Sequence, residues 1–289
     1  MELTILRFFE NMRTTFVTAI ASVFSLFGET IFLIALIALI YWIYDKNLGE
    51  RLVIVSFTSM AVNGILKSAV ARPRPFVNGG VSRVEIDLPI LSTMDLNPLE
   101  SFPSGHSQMG AGILFTAALH FKKTWAWIVF PLITLFVMLS RLYFGVHYPS
   151  DTLVGAAMGI AFAFFWHYIY EKTSDKCIYY LALVFSVISI VSIIVFPTEN
   201  LVRLCACMVA ASICWPLEKR YIGFENATCA KNRIFRAGIG LVCVGAVFGL
   251  FSYLPLAFLE HLAWKFVKYF LTLATGSLLV PYLFVKLKI

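Results

Sequence analysis

Two stretches of this chain, Ile31–Tyr44 and Ile178–Phe196, carry no charged side chain. Their lengths approach or reach the roughly 17–25 residues that a helix needs to cross a bilayer. Composition agrees. Of 289 residues, 60% are hydrophobic and 13% charged, about half the ~25% charge of a soluble domain. The 27 Phe, 12 Tyr and 6 Trp are rings that lipid-facing helices can carry and a soluble surface could not. A disordered chain, a disulfide-stapled miniprotein and a soluble enzyme are excluded. The pattern predicts an all-α, polytopic membrane helical bundle.

Apolar segments at about 28–44, 50–70, 104–121, 125–142, 148–170 and 177–196 read as a six-span core over 28–196. Further segments at 200–217, 234–254 and 264–286 form a three-span C-terminal appendage within 197–289. Residues 1–27 read as an amphipathic, interfacial N-terminal segment. Leu6, Phe9, Met12 and Phe16 lie largely opposite Thr4, Arg7, Asn11 and Thr14. Thr14–Phe27 reads either as a half-buried helix or as the first part of a bent first span, because Gly28-Glu29-Thr30 interrupts the apolar run. The polar stretch 76–101 reads as a lid or site-lining loop, and Trp215–Arg236 as a basic loop.

The net charge of +7 would suggest a nucleic-acid partner in a soluble protein. Here basic residues serve topology, so no nucleic acid is expected. The six cysteines, all beyond position 176, form no CxxC pair and read as small apolar packing residues.

Three polar motifs interrupt this apolar chain. The first, Lys67 through Arg72-Pro73-Arg74-Pro75, ends the second span. A lysine beside a membrane helix is costly and marks function, and prolines hold the arginines in fixed directions. Rigid guanidinium forks suit phosphate. The second, Phe102-Pro103-Ser104-Gly105-His106-Ser107, opens the third span. A Pro-Ser helix start leaves free N–H groups for an anion, Gly105 permits close approach, and His106 sits in the first turn. The third, Ser140-Arg141 through His147 to Asp151, joins the fourth and fifth spans. Residues four apart share a helix face, so Asp151 can orient His147 and leave a ring nitrogen free as nucleophile or base.

With the spans as assigned, all three motifs fall at one membrane face. They gather two histidines, an aspartate, a lysine and three arginines, with no cysteine or acidic cluster suited to a catalytic metal. Crowded cations disfavour a metal by several kcal/mol even at an effective dielectric near 20. They suit a phosphoryl group.

Lys67-x6-Arg74-Pro75, Pro103-Ser104-Gly105-His106 and Ser140-Arg141-x5-His147-x3-Asp151 resemble, in order and spacing, the three-part signature of the type 2 phosphatidic acid phosphatase (PAP2) superfamily. Phe27-Gly-Glu, Tyr41-Trp-Ile-Tyr-Asp45 and Gly49-Glu-Arg51 look like its sphingosine-1-phosphate phosphatase-like branch and bacterial relatives. The resemblance implies metal-independent, cofactor-free hydrolysis of a membrane lipid phosphate through a phosphohistidine. His147 would be the nucleophile, Asp151 its orienting group and His106 the general acid and base. Lys67, Arg74, Ser104, Gly105 and Arg141 would bind phosphate, with Arg72 and Ser140 behind them.

The substrate class stays open between a monophosphate ester and a diphosphate such as undecaprenyl pyrophosphate. A lipid phosphotransferase shares the chemistry, and a lipid transporter or scramblase could use the pocket only to bind. Apart from the motifs, most basic residues, among them Lys122, Lys123, Lys172, Lys176, Lys219 and Arg220, fall at the opposite face. The positive-inside rule then predicts an extracytoplasmic active site and a cytoplasmic C-terminus.

Overall fold

The computed structural model describes all residues except 78, 87–90, 92, 94, 95 and 254–260. Parts of the expected lid and the end of the eighth expected span, at position 254, therefore lie outside the described residues. Among the described residues, every regular element is a helix. The chain comprises α1 (Glu2–Asn11), α2 (Thr15–Leu26), α3 (Thr30–Leu39) with a π turn (Ile40–Tyr44), α4 (Lys46–Val70), α5 (Gly105–Phe121) and α6 (Thr124–Tyr143). There follow α7 (Pro149–Lys172), α8 (Asp175–Val195), α9 (Glu199–Tyr221), α10 (Ala230–Tyr253), α11 (Leu262–Ala274), a π turn (Thr275–Leu279) and α12 (Val280–Leu287).

Among the described residues, α4, α6, α7, α8, α9, α10 and the continuous α11–α12 segment are long and apolar enough to cross a bilayer. The α2–α3 pair, bent by 49° at its break, makes an eighth when counted as one span. The bend falls at residues 27–29, in the stretch that the sequence left open between a half-buried helix and a bent first span. α5, with 17 residues, is the short one.

The chain forms two compact units. The first comprises Met1–Ala35 and Val62–Tyr168. The N-terminal segment does not run as one helix through Phe16. It turns after Met12, and the Thr14 side chain accepts from Val17 N to cap α2. α2 packs on α6, with Phe24 stacked on Phe136 at 4.5 Å. α5 and α7 approach closely because Gly155 and Gly159 present no side chain. A Cβ at Gly159 would collide with the Gln108 carbonyl oxygen. Small residues four apart are the usual means of bringing membrane helices together. Beneath the third motif, Tyr143, Phe144 and Val146 bury against Ala21, Ile86 and Leu91.

The second unit comprises Leu36–Ala61 and Ile169–Ile289. α9 is its core, packed on α8 and α11, with Leu201, Cys205, Cys207, Ala210, Cys214 and Trp215 buried. This helix corrects the loop expected from Trp215. It continues through Pro216 to Tyr221, because its charged end finds partners within the unit. Glu218 pairs with Lys46, and Lys219 pairs with Glu50 at 3.0 Å and Asp175 at 3.1 Å. In the same unit Trp42 Nε1 donates to the Gly276 carbonyl in the second π turn at 2.8 Å.

Candidate active site

The candidate site lies in the first unit, where the end of α4, the start of α5 and the α6–α7 connection meet. Ser104 caps α5, and its N–H donates to the Asp151 carbonyl at 3.0 Å. This bond ties the second motif to the third. Asn63 on α4 donates to Gln108 Oε1 at 2.7 Å and to the Pro103 carbonyl at 3.4 Å, holding the same helix start. Gly105 begins α5, so its N–H belongs to the first turn, which has no intrahelical partner to offer.

His147 is 3% exposed and Asp151 fully buried. Arg74 Nη1 lies 3.2 Å from His147 Nε2. A guanidinium can only donate, so Nε2 carries the lone pair and Nδ1 the hydrogen. Nδ1 faces Asp151 Oδ2 at 3.6 Å, within ion-pair range but too long for a hydrogen bond. Asp151 Oδ2 instead accepts from Tyr148 N at 2.9 Å and from the Ser101 hydroxyl. Burial is the main cause that holds the His147 imidazole well below its ordinary pKa. The charges of Arg74, Lys67, Arg141 and His106 add to it.

The cations are held from behind. Arg74, 4% exposed, donates through Nε to the Asn97 carbonyl at 2.8 Å and through Nη1 to the Val146 carbonyl at 2.9 Å. Burial lowers its pKa to about 10, which leaves it charged at neutral pH. Lys67 donates to the Glu100 carbonyl. Arg141 Nη1 donates to Ser25 Oγ at 2.7 Å, while its buried Nε has no partner within hydrogen-bond distance. Arg72 stands at the rear of the site. Its Nη1 donates to Asp151 Oδ1 and Ser150 Oγ, each at 2.7 Å, its Nη2 meets Glu2 Oε2 at 2.8 Å, and its guanidinium covers the Tyr148 ring. Ser140 is not drawn in, because its hydroxyl donates to Val137 O within α6.

Two side chains escaped the sequence reading. Glu29, in the break of the bent span, places Oε2 2.8 Å from His106 Nε2. Glu2, on α1, accepts from Ser150 N and Oγ as well as from Arg72. Both residues stand far from the motifs in sequence, and neither has a spacing relation to them that would have marked it. Glu29 was visible as an acid interrupting an apolar run and as part of the Phe27-Gly-Glu resemblance, and neither pointed to His106.

Residues 50–175 match the family model described as the PAP2 superfamily, and residues 202–289 match a PAP2 superfamily phosphatase transmembrane extension. The chain is 29% identical to the bacitracin transport permease protein BcrC of Bacillus licheniformis, over 50% of this chain and 68% of that protein. It is 29% identical to phosphatidylglycerophosphatase B of Bacillus subtilis, over 47% of this chain and 67% of that one. The lipid A 4'-phosphatase of Bacteroides thetaiotaomicron is 25% identical, over 60% of this chain and 78% of its own. With a helical core and a C-terminal extension both matched by models of one family, and the three motifs gathered in a single cluster, this chain belongs to the PAP2 superfamily.

Proposed function

We propose that this integral-membrane lipid phosphatase releases phosphate from a membrane lipid through a covalent intermediate on His147. The observation that carries the reading is the state of that ring: buried, neutral, with Nδ1–H toward Asp151 and the Nε2 lone pair beside Arg74. Nε2 forms the bond to phosphorus as the phosphorus–oxygen bond to the lipid breaks. His106 gives its proton to the departing oxygen. Asp151 compensates the positive charge that builds on the His147 ring. Lys67, Arg74 and Arg141, with Ser104 and the Gly105 N–H, hold the phosphoryl oxygens as negative charge develops on them. In the second step His106 takes a proton from water, the resulting hydroxide displaces the imidazole, and inorganic phosphate leaves. No metal enters these steps.

The lipid reaches the cluster from the bilayer, its chain staying in hydrocarbon. The lysine and arginine distribution supports a site on the extracytoplasmic face and a cytoplasmic C-terminus. The names of two relatives, phosphatidylglycerophosphatase and lipid A 4'-phosphatase, support a lipid phosphate substrate.

Labelling with a 32P-lipid substrate tests the mechanism. An acid-labile phosphoenzyme should form in the native chain and be lost together with turnover in His147→Ala. Activity that disappears under a chelator in step with bound metal would overturn it. A phosphate-release panel of lipid monophosphates and prenyl diphosphates identifies the substrate, and formation of a new phospholipid in place of free phosphate would mark a transferase. A transport reading, which the permease name of one relative favours, predicts lipid movement in liposomes that survives His147→Ala.

A further inference from the structure

The break in the first span is built to reach the active site. A Cβ at Gly28 would stand 2.8 Å from both Cβ and the carbonyl oxygen of His106, so the missing side chain lets the break lie directly on the first turn of α5. The next residue, Glu29, then meets His106 Nε2 at 2.8 Å, with the carboxylate 16% and the imidazole 20% exposed. One turn earlier, fully buried Ser25 accepts from Arg141. A single short segment thus touches both a phosphate-binding arginine and the second histidine. It lies outside residues 50–175, the part matched by the family's core model.

The chemistry of this contact orients the ring. An ionised carboxylate has no hydrogen to give, so the hydrogen of the Glu29–His106 bond sits on Nε2. That leaves Nδ1 as the nitrogen able to exchange a proton with a substrate. The charged groups acting on His106 are Arg141 from α6, Glu29 from the break and Arg74 from the loop after α4. Burial first, and then the charges of Arg141 and Arg74, disfavour the imidazolium form; Glu29 is the group among them that favours it.

We propose that Glu29 is the positioning residue of His106, holding its Nε2–H so that Nδ1 delivers the proton to the leaving lipid oxygen and later accepts one from water. The inference rests on the acid–base role given to His106 above. The site therefore holds two histidine–carboxylate pairs of different origin. Asp151 serves the nucleophile from within the third motif, and Glu29 serves the acid from a segment ahead of all three motifs.

The test compares a lipid monophosphate, whose alkoxide must be protonated to leave, with p-nitrophenyl phosphate, whose phenolate leaves unaided. Glu29→Ala should lower kcat on the lipid by about 10- to 100-fold, a part of the roughly 10²–10⁴-fold that a positioned general acid contributes. KM should change little, and the initial burst of p-nitrophenolate should survive while its steady-state hydrolysis slows. Glu29→Gln keeps the shape and guards against misfolding. It should move the high-pH limb of kcat/KM on the lipid to lower pH, and Glu29→Asp should restore part of the rate. Equal loss of burst and lipid turnover, a rise in KM with kcat unchanged, or a native pH profile in Glu29→Gln would each overturn the proposal. His147→Ala and His106→Ala separate this from failure of the mechanism itself. A phosphoenzyme that persists without His147 defeats the mechanism. A leaving-group effect seen in His106→Ala but absent from Glu29→Ala and Glu29→Gln defeats only the role of Glu29.

Discussion

Arg72 Nη1 stands 2.7 Å from Asp151 Oδ1, while the far side of the same guanidinium meets Glu2. Asp151 is fully buried and Arg72 is not. Removing the arginine therefore strands a carboxylate that water cannot reach. Arg72→Ala should cost about 1–3 kcal/mol, less than the ~3–5 of a wholly buried pair because Arg72 is partly wet. It should also lower kcat at least about tenfold as Asp151 is freed to turn from His147. Arg72→Lys, keeping charge without the fork, should fall between. Glu2→Gln, at a more exposed carboxylate, should cost less than about 1 kcal/mol. Thermal unfolding alongside phosphate release checks all three, and an Arg72→Ala enzyme with native kcat would refute the link.

The pH dependence follows from His147. The folded chain keeps its imidazole neutral where an unfolded chain, with an ordinary pKa of about 6.5, takes up a proton. Acid thus favours the unfolded state. The stability this group supports is intact above about pH 6.5 and declines as pH falls below it. The melting temperature should drop between about pH 7 and about pH 5, with a shallower slope in His147→Ala. Formation of the phosphoenzyme should persist below pH ~6.5, because the nucleophile is still unprotonated there. An acid limb for that step centred at the ordinary histidine value would contradict the burial.

At the α5–α7 crossing, Gly159→Ala would press a methyl group onto the Gln108 carbonyl. The helices must separate, at a cost of about 1–3 kcal/mol typical of overpacking. The Ser104–Asp151 bond that joins two motifs should loosen with them. Gly238→Ala on α10 meets nothing within 4 Å, and should be neutral or stabilise by up to about 1 kcal/mol. Denaturation of the two variants side by side measures the contrast. Equal stability would mean that the crossing is not tight.

Sidedness can be read from two thiols. Glu85 is exposed in the loop on the motif side. Cys229 is exposed between α9 and α10, and the N–H groups of Asn232 and Lys231 are the main cause drawing its thiol below the ordinary range. In intact cells an impermeant maleimide should label Glu85→Cys in a Cys229→Ser background. It should reach native Cys229 only after permeabilisation. The opposite pattern would place the site in the cytoplasm.

The sequence spoke clearly where chemistry was local. The Pro103-Ser104 helix start and the gathering of Lys67, Arg74, Arg141, His106 and His147 follow from spacing and from the alternation of spans. Spacing gives a shared face, however, and not the outcome of competition for an atom. Asp151 Oδ2 is engaged by Ser101 and Tyr148 N, and stands off His147 at 3.6 Å. Glu29 was illegible for a different reason. Its partner is 77 positions away, and only the bend at Gly28 creates the meeting. The extent of α9 was hidden likewise, because Lys219 and Glu218 read as loop charges until Glu50 and Lys46 are seen opposite them.

Those last two pairs bear on how the molecule is made. Synthesis runs from the N-terminus, so Lys46 and Glu50 leave the ribosome long before Glu218 and Lys219 exist. Buried charge without a counterion is poorly tolerated at the edge of hydrocarbon. The first turns of α4 therefore gain these counterions only once the end of α9 has been translated. The C-terminal third is in this sense a late-arriving counterweight to charges laid down near the start of the chain.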